Sequence, residues 1–171
     1  MNKLIAALSA ATACLAAQAK DVEPELVKQP ETVVIAVRTA NGTPAAYAEA
    51  FGKLVGYYAQ PSANVKVVFP QRSITIKGTS YAAIAVAEKP AHPSGVELIT
   101  LPACRFLSRH YTGHYDGIEP AINQMVNQAL ATGWRIDQDC GVRIHHLNSP
   151  DNTPIDKLQH IIYVPVVGLK P

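Results

Sequence analysis

The chain has 171 residues, of which 48% are hydrophobic and 16% charged, with 15 Lys and Arg against 13 Asp and Glu. That length fits one ordinary domain, and the apolar content is too high for a disordered chain. Neutralising phosphates requires clustered basic residues. The formal net charge of +2, with no basic run, therefore disfavours a nucleic-acid-binding module.

The first nineteen residues have the layout of a secretory signal peptide. Lys3 supplies a positive start, residues 4–15 are mostly apolar, and Ala17-Gln18-Ala19 offers small residues at a cleavage site. A membrane anchor is the alternative, but the apolar run of about 12 residues is shorter than the ~20 needed to span a bilayer. Lipid attachment at Cys14 is a second alternative. Cleavage near Ala19 predicts a periplasmic or secreted protein with no stable membrane span.

Export changes the interpretation of the cysteines. After cleavage Cys104 and Cys140 remain, an even pair in an oxidising compartment. One disulfide between them would close a loop of roughly 35 residues and contribute about 3–4 kcal/mol in the chain-entropy model. Two buried free thiols are the alternative, and the sequence leaves both open.

The mature chain opens with a polar segment and a strand. Residues 20–31 are polar with two prolines, which predicts a lead-in outside the domain. The domain itself is predicted to span residues 32–168. Its first element is a strand over residues 32–37, because that run is rich in β-branched side chains.

A helix and two strands are predicted next. Thr43 is placed to cap the helix and Pro44 to occupy its first position, and an apolar stripe then continues to Tyr58. Strands are predicted over residues 65–69 and 81–87, with a polar stretch between them.

The second half predicts the same kinds of elements in the same order. Residues 104–111 read as a strand, and the apolar stripe from Ile118 to Leu130 reads as a helix closed by Gly133. Two further strands are predicted over residues 142–147 and 160–166.

The two halves match at an offset of 71 residues, which predicts a duplicated strand–helix–strand–strand unit. The matched pairs are Gly42 with Gly113, Phe51 with Ile122, Leu54 with Met125 and Val55 with Val126. Each copy has a single helix and could not bury its sheet face fully alone. The predicted strands after the helices do not keep the offset, so chance agreement of two amphipathic helices remains an alternative.

Motifs from residue 101 onward resemble a known family. A His-x-x-Gly-x-Tyr turn covers His110 to Tyr115, and Ile-Tyr-x-Pro-Val covers Ile162 to Val166. In this order and spacing the sequence resembles the GyrI-like small-molecule-binding family, which also serves as the effector-binding domain of AraC-type and multidrug-responsive regulators. The resemblance implies an α+β fold in which two helices pack on a curved antiparallel sheet, with a cleft between the duplicated halves.

The sequence departs from the family pattern where chemistry would be expected. Regulators of this kind carry a DNA-binding helical domain, whereas a predicted signal peptide stands here. Family members often carry a Glu and a Tyr where Ile144 and His146 stand, and an acid where Ile161 stands. A buried carboxylate pairs with cationic ligands and does acid–base work in the hydrolytic members. Its absence at both positions argues against cation binding and against catalysis.

Six histidines raise the question of a metal or haem site. They are His92, His110, His114, His145, His146 and His160. His110 and His114 flank a turn, and adjacent residues such as His145 and His146 point to opposite faces of a strand. Because no cysteine or acid stands at metal-ligand spacing, neither a metal nor a cofactor is predicted. A haem bound through a histidine, as in a related α+β family, is the alternative.

The resemblance also implies a cleft lined by aromatic side chains. The candidate ligand-binding residues are Tyr81, Phe106, His110, Tyr115, Trp134, His146 and Tyr163. Tyrosine suits such a wall because it offers an apolar face and a polar tip. Alternation along the last strand puts Tyr163 with Ile161 on one face and Ile162 with Val164 on the other. The second pair is expected to face the helices, and Tyr163 to face the ligand.

The sequence therefore predicts an exported protein that binds a small neutral, apolar or aromatic molecule without catalysis and without nucleic acid. An envelope protein that binds a protein partner and has a vestigial cleft is one alternative. A hydrolase acting on small electrophiles is the other. It needs an acid or base, for which Glu88 and Glu97 are the nearest candidates.

Overall fold

The computed structural model describes residues 23–90 and 94–169. The predicted signal peptide and His92 lie outside these ranges. In chain order the elements are β1 Glu25–Gln29, β2 Thr32–Arg38, α1 Pro44–Tyr58, β3 Val67–Ile76, β4 Thr79–Val86, β5 Glu97–Leu101, β6 Cys104–Thr112, α2 Ile118–Ala131, β7 Trp134–Ile136, β8 Val142–His146 and β9 Gln159–Leu169. Short 3-10 helices occupy Pro61–Ala63, Tyr115–Gly117 and Ile155–Lys157. Within the described ranges, neither α-helix is long and apolar enough to cross a membrane.

The strands form one curled antiparallel sheet in the order β1-β6-β9-β8-β3-β4-β2-β5, with β7 added on β9. One strand–helix–strand–strand unit consists of β2, α1, β3 and β4, and the other of β6, α2, β8 and β9. The two units join where β3 pairs with β8. Two helices on a half-barrel sheet confirm the predicted α+β class and its duplication.

The helices begin and end close to where the sequence pattern predicts. The Thr43 hydroxyl accepts a hydrogen bond from the Ala46 backbone N–H, and Pro44 occupies the first turn of α1. After α2, Gly133 adopts φ +90, a conformation that glycine reaches without a Cβ clash. The repeat-equivalent residues Leu54 and Met125 are both fully buried, so each helix anchors its own half.

Strand β3 is longer than predicted, and as a result β3 and β8 keep the repeat offset, whereas β4 and β9 do not, as the sequence pattern indicated. The polar stretch after residue 69 belongs to the strand, and Lys77-Gly78 makes the tight turn into β4. In the ladder between β3 and β8, Ser73 lies directly opposite Ile144, its equivalent at the offset of 71. The strand was missed because Pro70, Gln71, Arg72 and Ser73 interrupt its apolar residues, so the sequence pattern indicated a break after residue 69.

Residues 25–29 belong to the sheet and not to a polar lead-in, which corrects the predicted domain start. Strand β1 pairs with β6 and sets Glu25 opposite Ser108 and Gln29 opposite Cys104. Strand β5, which the sequence pattern did not predict, pairs with β2 in the other half. Both are edge strands, and the polar residues Glu25, Lys28 and Gln29 of β1 suit an exposed edge.

Two short crossings bring the ends of the sheet together. Pro30-Glu31 connects β1 to β2, and Pro102-Ala103 connects β5 to β6, although each connection runs from one side of the strand order to the other. Three Cα–Cα steps span at most about 11 Å. The sheet must therefore curl until its two ends lie within that reach.

The curled sheet has two buried faces. On the helix face, Leu54 packs with Ile35 and Ile84 of the first half, and Met125 packs with the second half. The opposite face, called the barrel face below, is enclosed by the curl itself, and Phe106 on it is fully buried. Fully burying one such side chain stabilises the fold by about 1.5–3 kcal/mol.

A disulfide joins Cys104, at the start of β6, to Cys140 in the loop before β8. The predicted pairing is confirmed. The two cysteines are separated by 36 positions in the sequence, so the bond constrains a large part of the second half.

Loss of this disulfide is expected to destabilise the protein. The double change Cys104→Ala and Cys140→Ala should lower the free energy of unfolding by about 3–4 kcal/mol, because the unfolded chain regains the freedom of a long loop. Urea unfolding followed by circular dichroism measures the difference. Thiol labelling of unfolded, unreduced protein should find neither cysteine free. A double variant as stable as the wild type would contradict the expectation.

Candidate functional site: a cleft between the two helices

A cavity of about 1310 Å³, called the cleft below, lies between α1 and α2 on the helix face. Tyr47, Phe51 and Val55 line it from α1, and Ile118 and Ile122 line it from α2. Phe51 and Ile122 are equivalent in the repeat and face each other across the gap. The walls of the cleft are therefore largely apolar.

The floor of the cleft is polar but uncharged. Gln71, Ser73 and Thr75 of β3 reach it because alternate residues of a strand share one face. Ile144 and His146 of β8 complete the floor. Ile144 stands where the family often has a carboxylate, so the floor presents hydrogen-bonding groups without a negative charge.

Two floor side chains, Ser73 and His146, form a continuous hydrogen-bonded chain with the fully buried His160, and this chain is called the polar chain below. The Ser73 Oγ lies 2.7 Å from His146 Nε2, and His146 Nδ1 lies 3.0 Å from His160 Nδ1. Which nitrogen donates depends on the tautomer. Burial lowers the pKa of His146 to about 3 and also lowers the pKa of His160. Both rings are therefore neutral at neutral pH.

Aromatic rings enclose the polar chain. The Phe51 ring meets His146 edge-on at 5.5 Å between centroids. The Tyr115 ring lies 6.1 Å from His146 and 5.4 Å from His160. Burial raises the pKa of Tyr115, so its hydroxyl stays protonated. The Phe51 and Tyr115 rings therefore place aromatic surface next to the polar chain.

The His-x-x-Gly-x-Tyr turn positions Tyr115. The Tyr111 hydroxyl donates to the His114 carbonyl at 2.9 Å and fills the space beside Gly117, where a Cβ would collide with it. Gly113 adopts φ +146, which side chains other than glycine rarely allow. The motif thus packs Tyr111 into its own turn and points Tyr115 towards the cleft.

The rim of the cleft carries negative charge. Asp116, Glu119 and Asp151 are exposed there, and among the described lining residues none is Lys or Arg. Solvent and salt screen exposed carboxylates, so their effect on a bound ligand is small. The exposed acids at the rim therefore have little effect on which ligand binds, whereas a charge at the buried floor would have a large one.

Of the seven predicted ligand-binding residues, the structure brings Tyr115 and His146 to the cleft. The side chains of Tyr81, Phe106, His110 and Tyr163 belong to the barrel face, and Trp134 packs beside α2. The physical reason is that both faces of the curled sheet are apolar, so aromatic character alone does not distinguish the cleft from the barrel interior.

Tyr163 illustrates the correction. Ile162 and Val164 pack against α2, as predicted, and Tyr163 points away from them. Its ring lies 5.9 Å from Phe106 and 4.7 Å from His145. Tyr163 therefore lies on the face opposite the cleft, because the cleft opens between the helices.

Of the other predicted residues that lie outside the cleft, Tyr81 and Trp134 each contact an arginine. The Arg38 guanidinium lies 5.8 Å from the Tyr81 ring centroid. The Arg105 guanidinium lies 5.5 Å from the centroid of Trp134. His110 is exposed near the end of β6.

Sequence reasoning missed several lining residues, notably Tyr47, Phe51 and Ser73. Phe51 had a usable signal, because the repeat pairs it with Ile122 at the edge of both apolar stripes. Ser73 had none, because it lies in a stretch that was expected to be a loop.

In the part of the chain that the structure describes, no three histidines gather around one point. His145 and His146 face opposite sides of β8, as predicted, and only His146 belongs to the cleft. Within the described ranges, Cys104, Asp137 and Cys140 place possible metal-binding atoms within 4.8 Å of one another. The two sulfurs are joined in the disulfide and offer no thiolate.

The fold and the cleft define a small-molecule-binding domain built from two strand–helix–strand–strand units. Residues 69–167 match the GyrI-like small molecule binding domain, and the chain belongs to that family. No protein of curated function matches the chain.

The fold recurs in solved structures, among them the following three. The EcmrR C-terminal domain aligns with a TM-score of 0.71 at 14% identity, covering 85% of this chain and 97% of that one. A hydrolase from Listeria innocua aligns at 0.60 and 14%, covering 85% and 92%. SAV2435 bound to tetraphenylphosphonium aligns at 0.57 and 15%, covering 86% and 96%. At these identities the likeness establishes the fold alone.

Acid is expected to destabilise the protein through its buried histidines. Burial, together with nearby arginines, lowers the pKa of His145 to about 3, the same value as for His146. An unfolded histidine titrates near 6.5. Between about pH 6.5 and 3 the unfolded chain therefore binds more protons, and stability falls as pH drops by up to about 1.4 kcal/mol per pH unit for each histidine. Above that window these groups contribute no pH dependence.

Urea midpoints measured from pH 7.5 to 4.5 test this slope. His145→Gln should flatten it by up to about 1.4 kcal/mol per pH unit. His110→Gln, at an exposed histidine, is the matched control. A slope unchanged by His145→Gln would contradict the expectation.

Proposed function

We propose that this protein is exported and binds a small neutral, largely apolar or aromatic molecule in the cleft, without catalysis. The observation that carries the proposal is the floor of the cleft. There the uncharged polar chain and Ile144 stand between apolar walls, at the position where the family often carries an acid. Ligand pockets of this kind combine apolar lining with a few polar groups that orient the ligand.

An organic cation is the second candidate ligand. The acidic rim and the tetraphenylphosphonium bound to SAV2435 favour it. A neutral ligand is preferred because a desolvated cation needs a buried counter-charge, which Ile144 cannot supply. The exposed rim carboxylates are screened by solvent and offset little of that cost.

Hydrolysis is the competing activity, and the polar chain is its best support. Ser73, His146 and His160 follow the order of nucleophile, base and orienting group. A histidine with a pKa of about 3 is a weak base, and a neutral third residue does not stabilise the imidazolium that forms. The acids that the sequence suggested for catalysis, Glu88 and Glu97, are both exposed. Each forms an ion pair, Glu88 with Lys66 at 3.3 Å and Glu97 with Arg38 at 3.6 Å.

Nucleic acid is not part of the proposal. EcmrR has been seen in a complex with DNA, and this chain covers 57% of that protein. The composition supports the exclusion, since a net charge of +2 without a basic run offers no phosphate-binding stripe.

Two probes of matched shape distinguish the ligand classes. Triphenylphosphine oxide is neutral and carries one hydrogen-bond acceptor, whereas methyltriphenylphosphonium has nearly the same shape and a positive charge. Calorimetric titration is expected to show the neutral probe binding at least about tenfold more tightly, a difference of about 1.4 kcal/mol. Tighter binding of the cation would overturn the assignment of ligand class. Failure of both probes to bind would favour the protein-partner alternative.

Two glycines on α1 provide a matched pair of variants. A Cβ at Gly52 or at Gly56 meets no atom within 4 Å, but only Gly52 lines the cleft. Gly52→Leu should weaken probe binding at least about tenfold, whereas Gly56→Leu should leave it unchanged, and each should gain roughly 0.5–1 kcal/mol of helix stability. Equal effects of both changes would place the probe elsewhere. Hydrolysis of p-nitrophenyl acetate that Ser73→Ala abolishes would overturn the non-catalytic part of the proposal.

Export predicts a processed N-terminus. Protein recovered from the envelope or the medium should begin at Lys20, because Ala17-Gln18-Ala19 provides the cleavage site. The disulfide supports an oxidising compartment. Sequencing the N-terminus, together with intact mass, measures the outcome. An uncleaved N-terminus or a lipid on Cys14 would contradict the prediction.

A further inference from the structure

We propose a second binding site, for a compact anion, on the barrel face between Arg72 and Arg143. Its ligand class is a small oxyanion or a carboxylate. The site lies on the opposite side of the sheet from the cleft and does not depend on the proposed function.

The fold brings the two arginines together by its internal symmetry. Arg72 and Arg143 are equivalent at the repeat offset of 71 residues, one on β3 and the other on β8. Arg72 lies opposite His145 in the ladder, and Arg143 lies opposite Ile74. The arginines are therefore diagonal neighbours on one face, with backbones roughly 7–8 Å apart.

Of the two guanidinium groups, only that of Arg143 donates hydrogen bonds to acceptors in the described part of the protein. Arg143 is fully buried and donates to the Gln29 side-chain oxygen at 3.0 Å, to the Pro102 carbonyl at 3.1 Å and to the Cys140 carbonyl at 3.4 Å. Its guanidinium also lies 4.6 Å from the Phe106 ring centroid. Its Nε has no partner among the described residues.

Arg72 has no such partners. Its exposure is only 9%, its Nε is buried without a hydrogen-bond partner, and no ion pair joins it to another of the described residues. A guanidinium carries five donors and stays protonated in proteins. A charge this deeply buried is costly unless an acceptor meets it.

Among the described residues, the neighbours of Arg72 are the Tyr163 hydroxyl and further cationic or donor groups. Arg143 is a second cation on the same face, and its pKa, lowered by burial to about 10, keeps it protonated at neutral pH. The buried His145 Nε2 is also unpartnered. Of the acids on β1 and β5, Glu25 is exposed and Glu97 pairs with Arg38. An anion between the two planar guanidinium groups would offset their positive charge. It would also accept hydrogen bonds from those N–H groups that have no partner in the protein.

Nuclear magnetic resonance of the arginine Nε–Hε groups tests the site directly. The 15N-labelled mature protein is titrated with sodium phosphate at constant ionic strength, and a second titration uses sodium acetate. The Arg72 and Arg143 signals should shift together and saturate with one common Kd, while the exposed Arg135 signal should not saturate. The tighter of the two probes identifies whether the site prefers a phosphate-like anion or a carboxylate.

Variants of Arg72 separate specific binding from general screening. Arg72→Met should abolish the saturable shift at Arg143, and Arg72→Lys should weaken it at least about tenfold because the planar fork is lost. Arg135→Met, at an exposed arginine, should leave the shift unchanged. Retained dispersion of the amide spectrum shows that each variant is folded. A linear shift at all three arginines, or saturation that survives Arg72→Met, would overturn the proposal.

Discussion

The antiparallel pairing of β3 with β8 is the interaction on which the rest of the structure depends. Ser73 and Ile144 face each other at its centre although they occupy the same place in two copies of one unit. Since pairing equivalent strands creates a two-fold relation, both helices fall on the same side of the sheet with a gap between them. The same relation sets Arg72 beside Arg143 on the other side. One ladder therefore creates both the cleft and the cationic pair.

The chemistry of the cleft follows from a charge that is missing at its floor. With Ile144 beside the polar chain, the floor offers directional hydrogen bonds and no counter-ion. A neutral imidazole pair keeps its geometry across a wide pH range, because burial opposes protonation of either ring. The barrel face shows the opposite balance, since it buries positive charge in excess of acceptors.

Much of the fold could be predicted from the sequence, because the helices carry regular apolar stripes and Thr43 and Gly133 mark helix ends. The disulfide and the repeat could be predicted as well, because the cysteine pair and the matching helix patterns are visible in the sequence itself. The outer strands and the second half of β3 were not, since the outer strands are only 5 residues long and β3 faces a polar floor. The cleft face was also misassigned for Tyr163, because a curled sheet buries aromatic residues on both sides and periodicity does not say which side the helices cover.

The placement of β1 has a consequence for the order in which the chain can fold. Glu25 pairs with Ser108, which lies 83 positions later, so the first strand of the domain is also a part of its second half. A chain that emerges from its N-terminus keeps β1 unpaired until β6 has appeared, while β2, α1, β3 and β4 already form local contacts. Long-range pairing of this kind slows folding. The polar character of β1 then keeps the waiting strand from associating with other chains.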